Sequence, residues 1–417
     1  MRKWAVVLLL AVSAWPAMAA RSVTVGQLEQ LLDRIRGKSD GKVAQELSDL
    51  ELTERVSPAR LAHWEKDFPG SRSHEALIKL ADLAAFLNPP AGDVVPIPGP
   101  DSGTQERMLE MAADYVKSTI TRLPNLIATR ETTHFEDTPS MQAPVPSVPI
   151  MVGRGTRSMG TVGGTVGSTP GPSMSSTEYK SLHSTGTSSI TVTYRDGQEV
   201  HDTDAEKGKN QSKPASGFTT VGEFGPILSV VMGDALRSEV VTWQRWEQRL
   251  NEGASEPVAV FRYAVSEDQS NYMVEIPSVG KVEEIYPSYH GEIAIDPATG
   301  AILRISLVSE LPSPYQAVQT AILVEYAPVT IGEQSYICPA RGVAFSKVPV
   351  AHEAAAQAGS AVNVQTHLND VAFTQYHLFR SKARIVTGER GEGGAPPSAV
   401  PAASPDSTSA TPAPQQP

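Results

Sequence analysis

The second half of this 417-residue chain is a succession of short runs in which apolar and polar residues alternate. They are "LIATRETTHF" (126–135), "SITVTYRDGQEV" (189–200), "EVVTWQRWEQRL" (239–250), "VAVFRYAV" (258–265), "NYMVEI" (271–276), "GEIAID" (291–296), "GAILRISLV" (300–308), "QTAILVEYAPV" (319–329), "SYICPARGVAFSKV" (335–348) and "LNDVAFTQYHLFRSKARIV" (368–386). A period of two, rich in β-branched and aromatic residues, reads as strand. Only "FGPILSVVMGDAL" (224–236) interrupts the series as a helix. Parallel neighbours need a crossover of a dozen or more residues, usually a helix. Without such connectors the strands must pair antiparallel. A sheet of about ten strands twists and curls into a half-barrel or closes.

Two turns punctuate it. Asp196-Gly197 is a two-residue hairpin signal. In "GEIAIDPATGAILRI" (291–305), Asp296 and Pro297 initiate a turn and Gly300 supplies a positive φ. Taking 296–300 as the loop places Ile295 opposite Ala301, Ile293 opposite Leu303, and Glu292 opposite Arg304. That register predicts that exchanging Glu292 and Arg304 preserves stability. It also gives Asp296 a turn-forming role rather than a catalytic one.

Ahead of the strands, residues 20–123 read as a helical region. Thr24-x-x-Gln27 is a capping box before Val25, Leu28, Leu31, Leu32 and Ile35, and Gly37 stops that helix. Val43, Leu47 and Leu50 mark a second. Ser57-Pro58 opens a third with Leu61, Trp64 and Phe68 on one face. Ser73 opens a fourth expected to bury Leu77, Leu80, Leu83, Ala84 and Leu87. A fifth runs from about 104 to 122. The first four starts recur every 15–17 residues, a spacing close to that of helix-pair repeats. The repeat consensus is missing, so a small helical domain is the preferred reading, with a repeat-like array as the alternative.

The chain ends carry different information. Arg2 and Lys3, the apolar run 5–14 and Ala17-Met18-Ala19 follow one another in the order of a secretory signal peptide, assigned to residues 1–19. No later run has the ~18 apolar residues of a membrane span. Removing Arg2 and Lys3 leaves 33 basic against 46 acidic residues, a formal charge of −13. An acidic chain without a basic, aromatic-studded patch repels nucleic acid. Much of the Gly and Pro content gathers in 137–177 and in the Pro/Ala/Ser-rich tail 388–417, both expected to be disordered, leaving the sheet domain as 124–387.

Catalytic patterns are missing from the sequence. "GRGTRSMGTVGG" (153–164) has glycines but neither a following helix nor the Gly-Lys-Ser/Thr of a phosphate loop. Ser158 and Ser168 lie in the same low-complexity stretch, and Gly-x-Ser-x-Gly does not occur. His367 and His377, ten residues apart in one strand, are separated by roughly 33 Å and cannot share an ion; each is expected to be exposed or hydrogen-bonded. Cys338, the one cysteine, excludes an internal disulfide and is expected to be a buried thiol. Trp243 and Trp246, three apart in a strand, fall on opposite faces unless the strand bulges. Asn210-Gln211-Ser212 is a glycosylation sequon. No catalytic, cofactor or metal residue is assigned.

"ELSDLELTERVSPARLAHWEKDFPG" (46–70), "DYVKSTITRLPNLIATRETTHFED" (114–137), and "GEIAIDPATGAILRI" with "VEYAPVTIGEQSYICPARG" (324–342) resemble a group of uncharacterised secreted proteins of acidobacteria. The signal peptide, long curved sheet and "DPATG" turn are also similar to the periplasmic lipoprotein-carrier fold. That resemblance implies a face that holds acyl chains. The expectation is therefore an α+β protein: a helical region followed by a large curved antiparallel sheet, exported and non-enzymatic, with a lipid, lipoprotein or envelope protein as partner. Interaction through the helical region is the alternative; an enzyme of unfamiliar type ranks third.

Overall fold

The computed structural model describes residues 21–138, 180–195, 198–201, 226–238, 240–248, 257–278, 281–311, 319–349 and 364–379. The expected signal peptide (1–19), residues 139–177 of the expected insertion with Ser158 and Ser168, the Asn210 sequon and the tail from 388 lie outside them.

The N-terminal layer holds four helices, α1 (Val25–Ile35), α2 (Asp40–Ser48), α3 (Pro58–Asp67) and α4 (Ser71–Leu83). Two three-residue strands, β1 (Arg21–Val23) and β2 (Leu50–Leu52), pair parallel beside them. The local signals act as expected. Thr24 and Gln27 cap α1 reciprocally, and Ser57 caps α3 with Pro58 behind it. The start of α4 is different: Asp40 on α2 accepts from the backbone N–H of Arg72 (3.1 Å) and Ser73 (2.8 Å). A carboxylate from another helix thus supplies the cap that Gly70 lacks.

Leu83 and Leu87 correct the expected core, being 43% and 39% exposed. The reason is that α4 is buried on two sides. Leu77, Leu80 and Ala84 enter the core of the helical layer, whereas Ile78 and Ala85 pack on the sheet. The stripe left for Leu83 faces water.

The main sheet has eleven strands in the order β3-β7-β8-β11-β12-β13-β14-β15-β4-β5-β6, every neighbour antiparallel. It is curved and does not close. In chain order its members are β3 (Val94–Val95), β4 (Leu126–Thr138), β5 (Lys180–Arg195), β6 (Gln198–His201), β7 (Val241–Glu247), β8 (Val258–Val265), β11 (Ser288–Ile295), β12 (Ile302–Glu310), β13 (Gln319–Ile331), β14 (Gln334–Pro349) and β15 (Val364–Leu378). The run "NYMVEI" does not join it: β9 (Val274–Ser278) and β10 (Lys281–Ile285) form a separate hairpin. Arg195 pairs with Gln198 across the Asp196-Gly197 position.

Helix α5 (Ser102–Arg122) is contiguous in sequence with the helical region but packs elsewhere. Its buried Met108, Ala112 and Val116 join α6 (Pro226–Ser238) and the sheet in one core. The helical region is thus continuous in sequence and divided in packing.

The 291–305 hairpin forms in a register different from the expected one. Ile293 pairs with Ile305, Ala294 with Arg304, and Ile295 with Ile302, with an irregularity between Ala294 and Ile295. The cause is local. Asp296 N donates to Ala301 O, Gly300 N donates to Asp296 O, and Asp296 Oδ1 accepts from Ala298 N and Thr299 N. The turn sets Asp296 against Ala301, which moves the pairing by one residue, and the unpaired Leu303 in β12 moves it by another. Gly300 has φ +72°, and an added Cβ would lie 2.6 Å from the Met111 backbone of α5. Asp296 is a turn residue, as its sequence context implies.

Candidate functional site

The two faces of the sheet are chemically different, and each is covered by one of the two helical groups.

The first face is apolar over β8 to β13. Phe261, Ile293, Ile305 and Val324 form a row in register across four strands. Leu228, Val231 and Met232 of α6 pack on this floor together with α5. One buried carboxylate ties α6 down. Asp234 accepts from Tyr289 OH (2.7 Å), from Asn271 N (2.8 Å) and Nδ2 (2.7 Å), and from Arg237. Burial, then this bond to Asp234, pushes the Tyr289 hydroxyl well above its usual range, so it stays a donor.

A polar row crosses the same face at one end: Tyr289, Ser309, Thr320, Ser346 and His367, each opposite the next, with Glu136 completing the row on β4. Ser309 and Thr320 bond to one another. In the adjoining row His134 Nδ1 lies 2.7 Å from Asn369 Oδ1, and its Nε2 lies 2.9 Å from Ser188 Oγ. Ser346 Oγ and His367 Nδ1 are buried with no hydrogen-bond partner. The expectation for His367 is corrected on both counts: it is 4% exposed and that nitrogen is unbonded. Burial holds its pKa below the usual imidazole value, against the pull of Glu136 and Asp137. His377 is exposed.

The tryptophans also meet on the apolar side. Trp243 pairs with Phe261, Arg245 with Val260 and Trp246 with Ala259, so β7 bulges by one residue. The rings stand edge to face, 4.8 Å between centroids. Trp246 Nε1 donates to Pro98 O (3.1 Å), and a Cβ on Gly99 would come within 2.6 Å of Trp243 Nε1. The linker before α5 therefore covers the pair. Cys338 is fully buried and burial pushes its thiol up to about 12, as fits a packing role.

The opposite face carries charge. Glu247 accepts from three guanidinium groups: Arg55 (2.9 and 3.0 Å), Arg245 (2.7 and 2.9 Å) and Arg304 (2.9 and 3.2 Å). Arg245 also clamps Glu292 at 2.6 and 2.8 Å. Burial disfavours the Glu247 carboxylate, but Arg304 and Arg55 outweigh it and hold its pKa far below the usual range. Further along, Arg304, Glu325 and Arg341 are register partners. Arg341 meets Asp370 (3.1 Å) and Asp82 of α4. Burial, reinforced by Asp370 and Glu325, pushes the Asp82 carboxyl up. Arg341 stays charged because three carboxylates outweigh its own burial.

From the N-terminal layer Arg55 and Asp82 enter these ion pairs, and at the β5 end Lys79 Nζ donates to Leu182 O (3.3 Å) while Glu75 Oε1 accepts from Ser184 N (3.1 Å). Beside Arg55 lies a small cleft of about 100 Å³ reached by Asp93, Glu247 and Arg304. These groups are engaged with one another or with Arg60, and the volume is well under the ~300 Å³ of a typical ligand pocket. Among the described residues no cluster of His, Cys, Asp and Glu has metal-binding geometry, and no helix is long and apolar enough to cross a membrane. The sequence reading placed Glu292 and Arg304 together as one charged pair but missed Arg55, Glu247 and Asp82, since Arg55 and Glu247 lie 192 residues apart. Comparison of the chain with known protein families, with curated proteins and with solved structures finds no match.

Proposed function

We propose that this is an exported, non-enzymatic binding protein that holds an acyl chain, presented by a lipid or lipoprotein, between its apolar face and the α5–α6 cover. One observation supports this reading most: an open sheet whose apolar floor is covered by two helices rather than by a second sheet. An acyl chain lying between the helices and the floor would touch apolar surface on both sides, so neither surface would be left to water. The polar row gives that floor one hydrophilic end, the polarity pattern of an amphiphile. Native mass spectrometry of the full chain purified from its own cell envelope, followed by solvent extraction, is the test. Co-purified acyl lipid, displaced by a fluorescent fatty-acyl probe, supports the reading. A ligand-free protein that binds no acyl probe overturns it.

Partner binding through the helical layer is the second reading, favoured by the exposed Leu83 and Leu87 at the end of α4. It expects Leu83→Glu with Leu87→Glu to abolish capture of an envelope partner while leaving acyl-probe binding intact.

A further inference from the structure

We infer that Ser346 and His367 form a polar subsite that receives the carbonyl of an ester- or amide-linked acyl chain. The inference rests on the carrier role proposed above and names the ligand's head chemistry. Ser346 is 0% exposed and its Oγ, the side chain's only polar atom, has no partner. His367 is its register partner on the next strand, 4% exposed, with Nδ1 unpartnered. Cross-strand partners place their Cβ atoms roughly 5 Å apart, so the two groups open onto a common point without bonding to one another. Buried polar atoms in native proteins are almost always satisfied, and a pair left open calls for an occupant. The rest of the polar row offers no such opening: Ser309 bonds Thr320, and Tyr289 bonds Asp234.

The occupant's chemistry follows from the donors. A serine hydroxyl and the N–H of a neutral imidazole can both donate to one carbonyl oxygen, which has two lone pairs. A carboxylate is opposed by the neighbouring Glu136, register partner of His367, and by Asp137. Asp137 Oδ1 already accepts from Thr366 N at 2.7 Å. Burial keeps the imidazole neutral, so it brings no charge to offset an anion. A free fatty acid is therefore the poorer ligand, and an esterified or amidated chain the better one.

The test uses the full chain and displacement of a fluorescent acyl probe by four competitors: monopalmitoylglycerol, its hexadecyl ether analogue, an N-palmitoyl peptide and palmitate. The ester is expected to bind roughly tenfold tighter than the ether, the value of one or two hydrogen bonds. Ser346→Ala and His367→Gln should each bring the ester towards the ether while leaving the ether unchanged. The N-palmitoyl peptide separates a lipoprotein source from a lipid one by whether amide or ester binds tighter. Ser346→Ala loses no bond, so an unchanged thermal midpoint is expected and guards against misfolding. Equal binding of ester and ether, or equal weakening of both in the variants, overturns the subsite and leaves the carrier role standing; that is also the result if a buried water alone fills the gap. Failure of all four to bind overturns both.

Discussion

The two helical groups hold the same sheet by opposite means. Helices α5 and α6 sit on it through apolar side chains that share its core, with Asp234 as the single buried carboxylate of α6. Helices α1–α4 have a core of their own and meet the sheet through apolar residues such as Ile78 and through charged side chains, above all Arg55 and Asp82. An apolar contact is non-directional and tolerates sliding. A guanidinium seated against a carboxylate already held by two other arginines allows only one geometry. The charged face thus fixes its layer through directional ion pairs, and the apolar face holds its layer mainly by burial, with Asp234 as its one buried anchor on α6.

The largest expected effect breaks the fixed side. Glu247→Gln leaves Arg55, Arg245 and Arg304 gathered around a neutral amide. It should cost about 3–5 kcal/mol in urea unfolding, the range for removing one member of a buried ion pair. Hydrogen exchange should rise in α1–α4 first. Leu228→Ala, on the buried side of α6, should cost about 2–5 kcal/mol, as for other buried leucines, and loosen α5 and α6 instead. Uniform exchange increases in both variants would remove the distinction between the layers.

Exchanging Glu292 and Arg304 sharpens the same point. The hairpin register read from sequence predicted a neutral outcome. In the structure Glu292 is clamped by Arg245, while Arg304 serves Glu247. The exchange sets arginine against arginine and glutamate against glutamate, and should cost more than ~1 kcal/mol. A wild-type thermal midpoint would count against the network as drawn.

A pH titration separates the two faces. The folded-state pKa of Glu247 is depressed, so its contribution is present above its ordinary value of 4.5 and lost as pH falls below it. His367 is also depressed, but as a base: the unfolded chain protonates first, so stability declines as pH drops below 6.5. The thermal midpoint should therefore fall in two stages on acidification. Glu247→Gln should shrink the lower stage, to which Glu292 also contributes, and His367→Gln should abolish the upper. The smallest effect expected is for Leu83→Ser, about 1 kcal/mol, because that side chain is 43% exposed.

What was legible in the sequence was local. Thr24 with Gln27, and Ser57 with Pro58, act within one helical turn, so residue identity alone announces them. The period of two revealed most of the strands, and the shortage of connecting helices revealed their antiparallel pairing. Register was less accessible: the Asp296 turn and the β7 bulge each displace pairing by one residue, and a bulge carries no residue signature strong enough to find. The candidate sites were not legible. Ser346 and His367 come together only because β14 pairs with β15, and Arg55 reaches Glu247 across most of the chain. Nothing nearby in sequence marks either meeting.

The strand order has a consequence for how the chain reaches this state. β4 pairs with β15, and the Asp137–Thr366 bond spans 229 residues. The β4–β6 ribbon, early in the chain, has no place in the main sheet until nearly the last described strand exists. Closing so long a loop is slow, and the waiting ribbon exposes an unpaired edge. A chain emerging N-terminus first would leave this ribbon unpaired until residues 364–378 followed. Strand β15 thereby acts as the clasp, and a product shortened before residue 364 would strand β4, β5 and β6 without their neighbour.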